Sequence, residues 1–126
     1  MKIRLRFDKQ HLFIGFRIRS TDVYSKAKYF NGIIDTGFSG FVMMPQDQFS
    51  GLGLFPKSIT TVRTADGKYH DAWTDKCKIY IGRTPFIGPA MALPDVSYTL
   101  YGMELLEKAD AILMLDFKKG ILELSN

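Results

Sequence analysis

The chain is poor in the residues that build disulfides and metal centres. It has one cysteine, Cys77, and two histidines, His11 and His70. A lone cysteine cannot close an internal disulfide, so nothing points to an oxidising compartment. No spacing of Cys and His matches a metal-ligand set, so neither a metal nor a cofactor is expected. Cys77 reads instead as a half-buried strand residue. Long apolar runs are also missing: no stretch approaches the ~18 residues that a membrane-spanning helix needs. The opening Met1-Lys2-Ile3-Arg4-Leu5-Arg6-Phe7 alternates charge with apolar residues and lacks the continuous apolar segment of a secretion signal. These absences lead to the expectation of a soluble cytoplasmic protein with no membrane partner.

What is present describes a small globular chain. Its 126 residues suit one domain, residues 1–126. An apolar content of 46% with 24% charged residues excludes a disordered chain. Ten Phe and six Tyr, many beside Ile, Val or Thr, favour strands over helices. The net charge of +4 is mildly basic. Lys2, Arg4, Arg6, Arg17 and Arg19 alternate with apolar residues, as on strands with one wet face, so nucleic acid is not the expected partner. A competing reading is a basic barrel for single-stranded nucleic acid, with Tyr24, Tyr29 and Phe30 stacking beside Lys26 and Lys28. Nothing specific in the sequence favours it.

Along the chain, residues 1–7 and 12–19 alternate as strands, with Asp8-Lys9-Gln10 as a hairpin turn between them. Phe30 to Ile34 and Phe41 to Met44 are short apolar runs. Pro45 opens a short helix over 46–50, which Gly51 and Gly53 end. Ile59 to Thr64 and Tyr69 to Ile81 form a hairpin whose tip, Ala65-Asp66-Gly67-Lys68, carries the strong Asp-Gly turn signal. Pro85, Gly88, Pro89 and Pro94 break up the next stretch and leave only Ala90 to Leu93 as a strand. A brief helix follows over 102–109. Ile112 to Asp116 and Ile121 to Leu124 close the chain as a hairpin. About eight short strands and at most two helices specify an all-β class, an antiparallel barrel or sandwich.

The chemically informative segment is Ile33-Ile34-Asp35-Thr36-Gly37-Phe38-Ser39-Gly40. It sets an acid in a turn of Thr, Ser and Gly between two apolar strands. Burying a carboxyl there is costly unless hydrogen bonds or a shared proton compensate. Gly37 and Gly40 let backbone N–H groups approach it. The plainer reading of Asp35-Thr36-Gly37 is an Asx turn between strands.

This turn resembles the signature of retropepsin-like aspartic peptidases, apolar-apolar-Asp-Thr-Gly-X-Ser, in a form with Phe38 at X. The hairpin around Ala65-Asp66-Gly67 sits where such enzymes carry their flap. Leu100-Tyr101-Gly102, followed by a short helix, resembles their apolar-apolar-Gly segment. Two features depart from the pattern: the flap tip is not Gly-rich, and Tyr101 replaces a smaller apolar residue. The resemblance implies a closed β-barrel with one or two short helices, forming half of a two-fold dimer. It implies Asp35, Thr36 and Gly37 as catalytic residues, and Phe38, Ala65, Asp66 and Gly67 as substrate-binding residues.

Aspartic peptidase chemistry needs two carboxyls sharing one proton, and this chain has one such motif. The expected function is therefore hydrolysis of peptide or protein substrates by a homodimer, one Asp35 from each subunit. The terminal strands, 1–7 and 120–125, are candidates for its interface. The alternative is a dimer of the same fold that binds peptides or assembles complexes without cleaving. Phe38, Met44, Val62 and Tyr69 are candidate pocket residues.

Overall fold

The computed structural model describes residues 1–7, 11–22 and 24–126. Among these residues ten strands and two short helices run in the order β1 (Lys2–Arg6), β2 (Phe13–Ser20), β3 (Lys28–Ile34), β4 (Val42–Pro45), α1 (Gln46–Gly51), β5 (Ser58–Arg63), β6 (Tyr69–Ile81), β7 (Thr84–Leu93), β8 (Thr99–Tyr101), α2 (Met103–Lys108), β9 (Ile112–Asp116) and β10 (Ile121–Ser125). Among the described residues no helix is long and apolar enough to cross a membrane.

The large sheet follows the order β2-β3-β8-β4-β7-β6-β5, and an extra β2–β6 pairing closes its first six strands into a barrel. Alternation drives this closure. Ile14, Phe16 and Ile18 of β2 turn inward, as do Cys77, Ile79 and Ile81 of β6, and all are buried. They share one core with Phe41, Val42, Phe49, Tyr101 and Leu105. Cys77 is fully rather than half buried, and that burial pushes its thiol pKa up.

Two expectations are corrected. The first two strands do not form a hairpin with each other. β1 instead joins β10 and β9 in a separate three-stranded sheet, pairing Ile3 with Leu124 and Leu5 with Leu122. Leu122 and Leu124 are wholly buried, so this sheet gains its stability by covering the barrel core. The turn expected at Asp8-Lys9-Gln10 lies outside the described residues. The second correction concerns β7, which runs through Pro85 and Pro89 rather than starting at Ala90. β4 pairs with β7 only from Ala90 onward, whereas β6 pairs with it from Thr84. Pro85 and Pro89 share one parity, so their missing N–H groups face the side that β4 does not reach, where a proline removes no ladder bond.

The short strand β8 organises the centre. It pairs parallel to β3 (Ile33 with Leu100, Ile34 with Tyr101) and antiparallel to β4 (Val42 with Tyr101). Tyr101 is fully buried, donates its hydroxyl to the Phe30 carbonyl at 2.6 Å and meets the Phe16 ring edge-on at 4.8 Å. Burial pushes its phenol pKa up, so it stays a donor. The larger residue is accommodated because position 32 is glycine: a Cβ there would lie 2.8 Å from the Tyr101 ring and 2.5 Å from the Thr99 carbonyl oxygen. Tyr101→Phe keeps the packing and orphans a buried carbonyl. The expected loss is about 1–2 kcal/mol, seen as a fall in Tm of roughly 5 °C in a thermal melt.

Candidate active site

The loop 35–41 leaves β3 and returns as β4, and β8 lies between those two strands. Residues 99–104 therefore hold the loop from beneath. The Asp35 N–H donates to the Tyr101 carbonyl at 3.0 Å, and the Gly102 N–H donates to Phe41 at 3.1 Å. At the start of α2, the Met103 N–H donates to the Phe38 carbonyl at 2.9 Å and the Glu104 N–H to Gly40 at 3.1 Å. Two of the amides that a helix start leaves unpaired are satisfied in this way by the loop itself. Gly102 is required sterically, since a Cβ there would come within 2.1 Å of the Gly40 oxygen.

Within the loop, the Gly37 N–H donates to Asp35 Oδ1 at 2.9 Å and the Phe38 N–H donates to the Asp35 carbonyl at 3.1 Å. The first of these is an Asx turn, so the plain-turn reading and the catalytic reading describe the same local geometry. What sets this turn apart is its surroundings. Asp35, Gly37, Phe38 and Ala65 line one cleft of about 500 Å³, with Val62 and Leu100. Apolar side chains form its floor, where Met43 and Leu93 pack with Phe38, Val62, Val96 and Leu100 in a cluster separate from the barrel core.

The structure brings together part of the expected site. Thr36 faces a second hollow, lined by Met103, Leu106 and Asp110. It is exposed, and its hydroxyl bonds to nothing among the described residues. Asp66 and Gly67 sit at the flap tip and do not line the cleft. Of the candidate pocket residues, Phe38 and Val62 line the cleft. Met44 belongs to the barrel core, and Tyr69 is 70% exposed outside the cleft. Adjacent strand residues face opposite ways, so Met43, not Met44, meets the cleft. Leu93 and Val96 escape the sequence reading because β7 and the loop after it are marked there by prolines rather than by a clean alternation, and Met43 and Leu100 because their short strands β4 and β8 show no face of their own.

The flap is the β5–β6 hairpin, in register from Ser58–Thr74 to Arg63–Tyr69. Its turn closes through Thr64 N–H to the Lys68 carbonyl at 3.0 Å and Gly67 N–H to Thr64 at 2.9 Å. Gly67 has φ +82°, which suits glycine there. Asp66 Oδ1 accepts bonds from the Thr64 hydroxyl and, at 3.0 Å, the Lys68 amide. Asp66 therefore holds the shape of the tip.

Gly102→Ala forces a methyl group against the Gly40 carbonyl and is expected to cost about 3 kcal/mol in a denaturant melt. Gly51→Ala, with nothing within 4 Å of the added methyl, is neutral or stabilises by about 0.5 kcal/mol. The Thr64 hydroxyl, then the Lys68 amide, hold the Asp66 carboxyl below its ordinary 3.8. A depressed folded-state value means the contribution is present above 3.8 and is lost as pH falls through the lower folded value. In an NMR titration the Lys68 amide shift should follow Asp66 with a midpoint below 3.8, and Asp66→Asn should remove that transition.

No family model matches this chain, and no curated protein matches it in sequence. Solved structures do. A retropepsin-like aspartic protease from Rickettsia conorii superposes with a TM-score of 0.69 at 23% identity, over 98% of this chain and 89% of that one. EIAV protease complexed with the inhibitor HBY-793 superposes with a TM-score of 0.63 at 15% identity, over 85% of this chain and 95% of that one. The closed barrel, the strand threaded between the two sides of the Asp35 loop, and the hairpin over the cleft give this chain the retropepsin-like fold.

Proposed function

We propose that the protein is an aspartic endopeptidase that works as a homodimer, with one Asp35 from each subunit forming the catalytic pair. The observation that carries this reading is the position of Asp35. It sits on a loop fixed from beneath by four backbone hydrogen bonds with residues 101–104, at the side of an apolar cleft covered by a hairpin. Each chain offers one such carboxyl, and the chemistry takes two.

In the pair, the ionised Asp35 takes a proton from a bound water as the water oxygen attacks the scissile carbonyl carbon. The protonated Asp35 gives its proton to the carbonyl oxygen, so the tetrahedral intermediate forms without free charge. Collapse of that intermediate breaks the C–N bond. The leaving nitrogen takes up the proton gained from water, and one shared proton returns to the pair. Like charges this close cannot both ionise, so the dyad titrates as a unit. The Gly37 amide that donates to Oδ1 fixes the direction in which its own carboxyl points. In this reading Thr36, which is exposed, meets its copy across a two-fold axis. The substrate is an extended peptide between cleft floor and flap, its apolar side chains set against Val62 and Leu100.

Purified protein is expected to hydrolyse a denatured protein substrate with a bell-shaped pH–rate profile and to be blocked by a statine-type inhibitor. Asp35→Asn should lower kcat by at least about 10³-fold while sedimentation still reports a dimer. Cleavage by the variant at the wild-type rate removes Asp35 from the chemistry. Peptide binding without turnover in the wild type points instead to the non-cleaving dimer.

A further inference from the structure

The outer wall of the barrel carries a cationic lattice that the cleft does not use. Residues paired directly across strands point to the same side of a sheet. Tyr29 of β3 pairs with Arg17 of β2, Arg17 with Tyr80 of β6, and Tyr80 with Pro85 of β7. One step along, Arg19 pairs with Lys78 and Lys78 with Ile87; beyond them Lys76 pairs with Pro89. Their neighbours Phe16, Ile18, Cys77 and Ile79 are buried in the core, so these rows face outward. Arg17, Arg19, Lys76 and Lys78 thus share one wall. Successive cations on each strand are roughly 7 Å apart.

Among the described residues no carboxylate neutralises them. Strands β2, β3 and β7 contain no Asp or Glu, and neither do residues 76–81 of β6. Asp75 is buried and engaged by Lys57 and by the amides of Phe55 and Lys76. Among the described residues, none of the four cations forms an ion pair. Arg19 Nε is shielded and has no hydrogen-bond partner among the described residues.

Aromatic rings lie among the charges. Tyr29 is 65% exposed and lies across Gly15, where a Cβ would fall 1.9 Å from its ring. One ring face therefore rests on the sheet and the other meets solvent. The Arg17 guanidinium covers the Tyr80 ring at 4.9 Å. Of the aromatics that the sequence suggested for stacking, Tyr29 alone belongs to this lattice. Phe30 packs against the core, and Tyr24 lies beyond these strands.

We propose that this wall binds single-stranded nucleic acid, with the four cations on phosphates and Tyr29 stacking on a base. Charge complementarity selects a polyanion. The exposed ring selects unpaired bases, whose faces a duplex hides. Because none of these residues lines the cleft, the proposal is independent of the peptidase reading.

The test is fluorescence anisotropy with labelled oligothymidylate of about 16 nucleotides, between about 50 and 200 mM salt, beside a duplex of equal length. Four phosphate contacts predict that log K falls against log salt with a slope of about −3. Lys76→Ala with Lys78→Ala, both at solvent-facing positions, should reduce that slope by about 1–2. Tyr29→Ala should weaken binding about tenfold with the slope unchanged. Circular dichroism melts confirm that both variants are folded. The absence of binding at about 50 mM salt overturns the proposal. So does equal affinity for the duplex together with indifference to Tyr29→Ala, or binding of phosphatidylserine vesicles in place of the oligonucleotide.

Discussion

The cleft depends on how three residues of β8 are held. A loop bearing a carboxylate between two strands has no rigidity of its own, because its backbone groups have no ladder to join. Threading Thr99–Tyr101 between β3 and β4 supplies that ladder on both sides, and the first amides of α2 take up the loop carbonyls that remain. The position of Asp35 is thereby tied to the barrel core through Tyr101 and to the helix through Met103 and Glu104. Space for this arrangement comes from two side chains that are absent, at Gly32 and Gly102, where any larger residue would collide with backbone.

The sequence made some of this legible and hid the rest. Strong alternation disclosed β2 and β6, and the Asp-Gly tip disclosed the flap, because period and turn chemistry are local properties. The Asp35 turn and its retropepsin resemblance were readable in the same way. Partner choice was not. β1 departs from the tendency of consecutive strands to pair, since its Ile3 and Leu5 find in Leu124 and Leu122 the strand that covers the core. The prolines of β7 concealed a ten-residue strand, because whether an N–H is missed depends on which neighbour lies on that side. The cleft floor was hidden for the same reason. Met43 and Leu93 meet through the parallel β4–β7 pairing, a contact between segments distant in sequence.

The chain uses its two kinds of surface in different ways. The cleft is an apolar floor with a single carboxyl at its side, which the proposed function completes with a second copy. The outer barrel wall lies within one copy and carries charge of one sign over two neighbouring strands. The strand alternation that turns Ile18 and Ile79 into the core also turns Arg19 and Lys78 outward beside each other. Core formation and the charged wall are thus two results of one periodicity.

The unpaired flank of β7 bears on how the protein behaves in a crowded solution. An extended strand with a row of free amides is a template on which other chains can nucleate sheet growth, and a barrel escapes that hazard only where its seam is fully zipped. Between Thr84 and Pro89 the seam stands open towards β4. Of the three same-parity positions 85, 87 and 89, proline removes the donor at two, and Lys108 Nζ occupies the Ile87 carbonyl, so the gap offers a stray strand a single amide as well as being harmless to its own ladder.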